Sequence, residues 1–146
     1  MEKRRDLARE TDDVEQLVTE LWQIVPLGHG IRHGYRPQVD CFRTGDPPQL
    51  AIIVELPGVD PDRIRLAATP RRFVVAGVRE RPKDCGHYQR MEIEYGPFQR
   101  EVTLTEEVDP AGASASYERG ILRVTLPIVV RPTIRESILI EVTLTR

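Results

Sequence analysis

From residue 39 to residue 127 apolar and polar positions alternate with a period of two, which predicts a run of short strands. In "QLAIIVELPG" the residues Leu50, Ile52, Val54 and Leu56 fall on one face. "RIRLAAT" puts Ile64 and Leu66 on one face and Arg63 and Arg65 on the other. "RFVVAGVRE" is apolar on both faces, the pattern of a central strand. "FQREVTLTE" supplies Phe98, Val102 and Leu104, and "GILRVTLP" sets Leu122, Val124 and Leu126 against Arg123 and Thr125. The clusters "GDPP", "LPGVDPD", "TPRR", "RPKDCG" and "ERG" carry turn chemistry and separate the runs. Short strands at this spacing, with few helical stretches between them, predict an all-β sandwich over residues 35–127.

The period differs on either side. Val14, Leu17, Val18, Leu21, Trp22 and Val25 recur in steps of three and four, one apolar stripe on a helix. Thr11 followed by Asp12 and Asp13 suits the start of that helix. "PLGHGIRHGYRP" then breaks it, so residues 1–34 read as a helical arm and a Gly/Pro linker. The stripe serves either as core or as a surface for oligomer and client contacts. Residues 128–146 read as an extension. Its root, with Ile128, Val129, Val130 and Ile134, is more apolar than a free tether needs and is expected to pack on the domain. Its end returns to a period of two, with Ile138, Ile140 and Val142 on one side. A lone strand has unpaired N–H and C=O groups, so it joins its own sheet or that of another chain. The segment "RERPKDCGHYQRMEIEYGPFQ" is long for a hairpin loop. A short strand inside it, with Tyr88, Met91 and Ile93, would lie far from its own sheet and would need a foreign edge.

Composition narrows the function. Lys and Arg number 21 against 23 Asp and Glu, a formal charge of −2. No field of one sign draws the chain to nucleic acid or to an anionic membrane. No stretch approaches the roughly 20 apolar residues that span a bilayer. The charged N-terminus has no apolar secretory core, so a cytoplasmic location is expected. Cys41 and Cys85 form no C-x-x-C pair and are expected to be reduced thiols. His29 and His33 sit among glycines without acidic or thiol neighbours, and His87 with Asp84 and Glu92 reads as solvated loop. Neither a phosphate-binding G-x-x-x-x-G-K-[ST] loop nor a G-x-S-x-G elbow occurs. No enzyme activity, cofactor or metal is expected.

Several stretches, taken in order, resemble the small heat-shock protein (alpha-crystallin) family. They are "YRPQVD", "VELPGVDPDRIRL", "RFVVAGVRERP", "EYGPFQREVTLTEEVD" with Gly96, Phe98, Arg100 and Leu104, and "ASYERGILRVTLP" with Ala115, Gly120, Ile121, Leu122 and Pro127. Arg119 departs from the asparagine or aspartate that often precedes the glycine. The resemblance covers about residues 35–127. It implies an immunoglobulin-like sandwich and an ATP-independent holdase chaperone that binds unfolding client proteins. It implies a homodimer in which the strand with Tyr88, Met91 and Ile93 joins the partner's sheet. It also implies a higher homo-oligomer tied by the I-x-I/V motif at Ile138, Ile140 and Val142. The receiving groove would lie beside the strands holding Ile64 and Leu66 and holding Ala113 and Ala115, whose small alanines leave room. Arg100 reads equally as an ion-pairing residue at the dimer contact and as a surface arginine. The competing reading is a monomeric, co-chaperone-like module of the same sandwich type that docks one specific protein.

Overall fold

The computed structural model describes residues 16, 19, 34–83 and 86–131. Gln16 and Thr19 have helical backbone. The rest of the arm, with Leu17, Val18, Leu21, Trp22 and Val25, lies outside the described residues. So do Asp84, Cys85 and the extension from residue 132 onward, with Ile138, Ile140 and Val142.

Seven strands follow in chain order: β1 (Val39–Thr44), β2 (Gln49–Glu55), β3 (Arg65–Thr69), β4 (Arg72–Arg79), β5 (Gly96–Thr103), β6 (Ser114–Glu118) and β7 (Ile121–Pro127). They form two antiparallel sheets, β1-β2-β7-β6 and β3-β4-β5. The alternation read from the sequence becomes the inner faces. Leu50 lies opposite Leu126, Ile52 opposite Val124 and Val54 opposite Leu122, and all six are at most 5% exposed. Phe73, Val75 and Phe98 meet them from the other sheet. β4 is central, as its two apolar faces predict, and Phe73 through Ala76 are buried. Packing is close at Gly77, where a Cβ would stand 2.6 Å from the Arg63 carbonyl oxygen and 2.8 Å from the Phe98 ring.

Two short 3-10 turns, Pro61–Arg63 and Pro110–Gly112, lead into β3 and β6. Each follows a Val-Asp pair. Val59 and Val108 are buried pegs. Asp60 and Asp109 each accept a hydrogen bond at 3.0 Å from the backbone N–H two residues on, with proline first in the turn. Ala113, placed by the sequence on a strand, is the cap between the second turn and β6.

Arg119 and Gly120 join β6 to β7 with φ of 53° and 80°, the two positive values that a tight hairpin turn of this hand requires. Glycine is needed at 120, since a Cβ there would lie 2.9 Å from the Pro57 Cα. Arg119 has no such clash but holds a conformation that costs an L-residue free energy. Its only ion pair among the described residues, with Glu118 at 3.7 Å, is exposed and weak. Arg119→Asn is therefore expected to stabilise the domain by about 0.5–1 kcal/mol. A thermal melt checks this, and a lowered midpoint would contradict it.

Candidate functional site

β3 is an edge of one sheet and β6 an edge of the other. Between them run two hollows, one of about 250 Å³ and one of about 140 Å³. Ile64 lines the smaller, Ala113 the larger, and Leu66 and Ala115 line both. All four residues expected at the receiving groove thus lie along one depression. The floor comes from the core: Phe73, Val124 and Leu126 under the larger hollow, Leu122 under the smaller. Among the described residues no charged side chain lines either hollow. Leu66, which the alternation places on the inner face, is 38% exposed because no residue of the described chain covers it. Tyr117 closes one end, with its hydroxyl donating to the Leu56 carbonyl at 2.6 Å. Pro61 and Pro110, from the two 3-10 turns, flank opposite hollows, a pairing the sequence hid because the turns are 49 residues apart.

The other two edges differ. Residues 34–37 lie against β5, and Gln38 turns to β2, where its carbonyl accepts from the Glu55 N–H at 3.1 Å. A Cβ on Gly34 would stand 2.4 Å from the Pro97 carbonyl oxygen, and the Arg100 guanidinium donates to the Pro37 carbonyl at 2.6 Å. Half-buried Arg100 is thus engaged within its own chain. The nearby Tyr35 hydroxyl donates to the Glu55 carbonyl at 2.6 Å. Burial pushes its pKa up, while the Arg79 guanidinium pulls it down. β1, by contrast, pairs with β2 alone among the described residues. Its Phe42 is 44% exposed. Its Cys41 is a free thiol whose pKa is raised by desolvation, which disfavours the reactive thiolate.

Tyr88, Met91 and Ile93 stand 45%, 59% and 58% exposed. Residues 86–95 form no strand, in contrast to the short strand the sequence allows. A strand requires a partner edge, and neither sheet of the chain pairs with this segment. The extension's root packs on the domain only at its start: Ile128 lies against the core, while Val129 and Val130 are exposed and Ile134 lies outside the described residues. Ile128 pairs with Val108, the Ile128 N–H donates to the Pro48 carbonyl at 3.1 Å, and the Val129 N–H donates to the Glu107 carbonyl at 2.8 Å. Among the described residues no group of three His, Cys, Asp or Glu could hold a metal, and His87 and Glu92 are exposed. No helix among them is long and apolar enough to cross a membrane.

The model of the Hsp20/alpha crystallin family matches residues 44–143. The chain belongs to this family. The chain is similar to the probable 15 kDa heat shock protein of Leptospira interrogans, 29% identical over 91 residues, 62% of this chain and 68% of that protein. It is 39% identical over 99 residues to the spore protein SP21 of Stigmatella aurantiaca, 66% of this chain but only 59% of that protein's length. A small heat-shock protein from Xylella fastidiosa, described as having a distinct high order structure, superposes with a TM-score of 0.58 at 29% identity, covering 75% of this chain and 97% of that one. Membership of the Hsp20/alpha crystallin family supports a chaperone role, and the proteins of this family are not enzymes.

Proposed function

We propose that this Hsp20/alpha crystallin protein is an ATP-independent holdase that binds partly unfolded proteins and limits their aggregation, assembled as an oligomer of dimers in the cytoplasm. The observation that carries the reading is the uncharged groove between β3 and β6. Its two hollows meet at Leu66 and Ala115. Alternate residues of a strand lie about 6.6–6.8 Å apart on one side. Two aliphatic side chains from Ile138, Ile140 and Val142 of another subunit suit such a pair of hollows, with the peptide backbone adding to an open edge.

For the dimer contact the availability of sheet edges favours β1. Residues 34–37 lie against the β5 edge, and the β3 and β6 edges flank the groove. β1 is left to receive the partner's segment around Tyr88, Met91 and Ile93. Each chain then carries both a donor segment and an acceptor edge, so a two-fold exchange satisfies both at once. Clients bind where apolar surface becomes uncovered: the groove when a tail leaves, and the arm stripe at Leu17, Val18, Leu21, Trp22 and Val25. The proposed partners are thus copies of the chain itself and unfolding clients, with no cofactor, nucleic acid or membrane.

The test is light scattering from heated client proteins without nucleotide. Substoichiometric protein is expected to lower the scattering of several unrelated clients. Unchanged scattering over a wide range of ratios removes the holdase reading.

A further inference from the structure

Three tyrosines and two arginines alternate in one stack at the neck of the long loop. The Arg79 guanidinium lies 4.7 Å from the Tyr35 ring centroid and 5.1 Å from that of Tyr95. The Arg81 guanidinium lies 4.7 Å from the Tyr95 centroid and 5.3 Å from that of Tyr88. All four distances are within the roughly 6 Å over which a cation is attracted to an aromatic ring. The order Tyr35–Arg79–Tyr95–Arg81–Tyr88 joins separate parts of the chain: the segment before β1, the end of β4, the residue before β5, and the loop itself. The Arg79 guanidinium also donates to the Glu94 carbonyl at 3.0 Å, and Arg63 pairs with Glu80 at 2.7 Å, so both limbs of the loop are tied down at its base. No carboxylate among the described residues pairs with Arg81, whose guanidinium lies over the two rings.

We propose that this stack is a brace that presents the exposed segment 88–94 in one direction to a second copy of the chain. The inference rests on the dimer reading above and names the residues that make the segment competent. Tyr88 ends the stack and begins the segment, so its ring sets where Met91 and Ile93 project. A segment held this way has lost part of its conformational freedom before it meets the β1 edge of the partner, and the contact forms with less ordering cost. An arginine is required because its flat guanidinium stacks on a ring while keeping its charge, which the ammonium of lysine does less well. The sequence reading missed the stack, since its members span residues 35 to 95 and follow no period.

The experiment compares the full-length chain with Arg81→Leu and with Arg72→Leu. Arg72 also sits on β4, pairs with Glu101 at 3.3 Å and touches no ring in the stack, so its replacement removes the same charge without touching the brace. Dimer dissociation is followed by sedimentation on dilution, and amide hydrogen exchange is followed over residues 86–95. Arg81→Leu is expected to weaken the dimer about fivefold or more and to speed exchange in the loop, as loss of two cation–ring contacts implies. Arg72→Leu is expected to change neither. A wild-type dimer with the same dissociation constant and exchange in Arg81→Leu overturns the brace alone. Equal weakening by Arg72→Leu also overturns it, because charge and not stacking would then be responsible. A wild-type chain that is monomeric throughout overturns the dimer reading and the brace with it.

Discussion

Replacing Ile138 and Ile140 together by glycine is expected to break the assembly down to dimers. Burying one branched aliphatic side chain contributes roughly 1.5–3 kcal/mol, so two or three anchors give on the order of 3–9 kcal/mol before any cost is counted. Ordering the tail costs about 1–2 kcal/mol per residue fixed, and association costs several more. One tail in one groove is therefore a weak contact. It persists in a closed particle because every other tail holds its own subunit near at high effective concentration. Removing both anchors lowers every contact in the particle at once, so the effect on mass is far larger than on any single site. The buried core of the described domain is drawn from residues between Leu50 and Leu126, so the domain is expected to stay folded. Light scattering coupled to size exclusion reads the mass, and circular dichroism reads the fold. A particle of unchanged mass shows that the tails do not bridge subunits. A wild-type chain that is already monomeric favours the single-partner module instead. Because one weak contact opens often, the same arithmetic predicts subunit exchange, which mixing of differently labelled subunits would record.

The parts of the fold that were legible in the sequence are those with strict alternation. Leu50 to Leu56 and Leu122 to Leu126 became facing rows of the core because a half-buried strand has a fixed period of two. The groove was legible only in outline. Ile64 and Leu66 read as ordinary inward residues, and nothing local distinguishes a strand that closes a core from one that borders an uncovered slot. Ala113 and Ala115 entered through family likeness, since small residues on a short polar strand carry little signal of their own. The pairing of the two Val-Asp-Pro turns and the tyrosine–arginine stack escaped notice for one shared reason. Their meaning lies in which distant residues they meet. The long loop marks the limit of single-chain reasoning. Its β-like pattern is real, but a strand exists only against an edge, and neither sheet of the described chain pairs with it.

Phe98→Ala is expected to cost about 3–5 kcal/mol of stability, a large share of the roughly 5–15 kcal/mol typical of a domain. The ring is 2% exposed and belongs to the central cluster. Tyr35 meets it edge-on, with centroids 5.9 Å apart and planes at 89°, a geometry that adds about 0.5–1.5 kcal/mol beyond area alone. The cavity left behind is slow to collapse. On one side stands Gly77 of the central strand β4, which carries no side chain to move in, and the sheets on either side are held by long antiparallel ladders. The loss also spreads. Tyr35 belongs to the segment that covers the β5 edge, and its ring supports Arg79 at the head of the stack. Without Phe98 that segment loosens, and an unpaired strand edge becomes available for uncontrolled association. A lower denaturant midpoint with an unchanged slope is the expected record. Phe42→Ala, which removes the same ring from the exposed strand β1, should shift that midpoint far less. A drop at Phe98 no larger than at Phe42 would mean that the ring does not lie sealed between the two sheets.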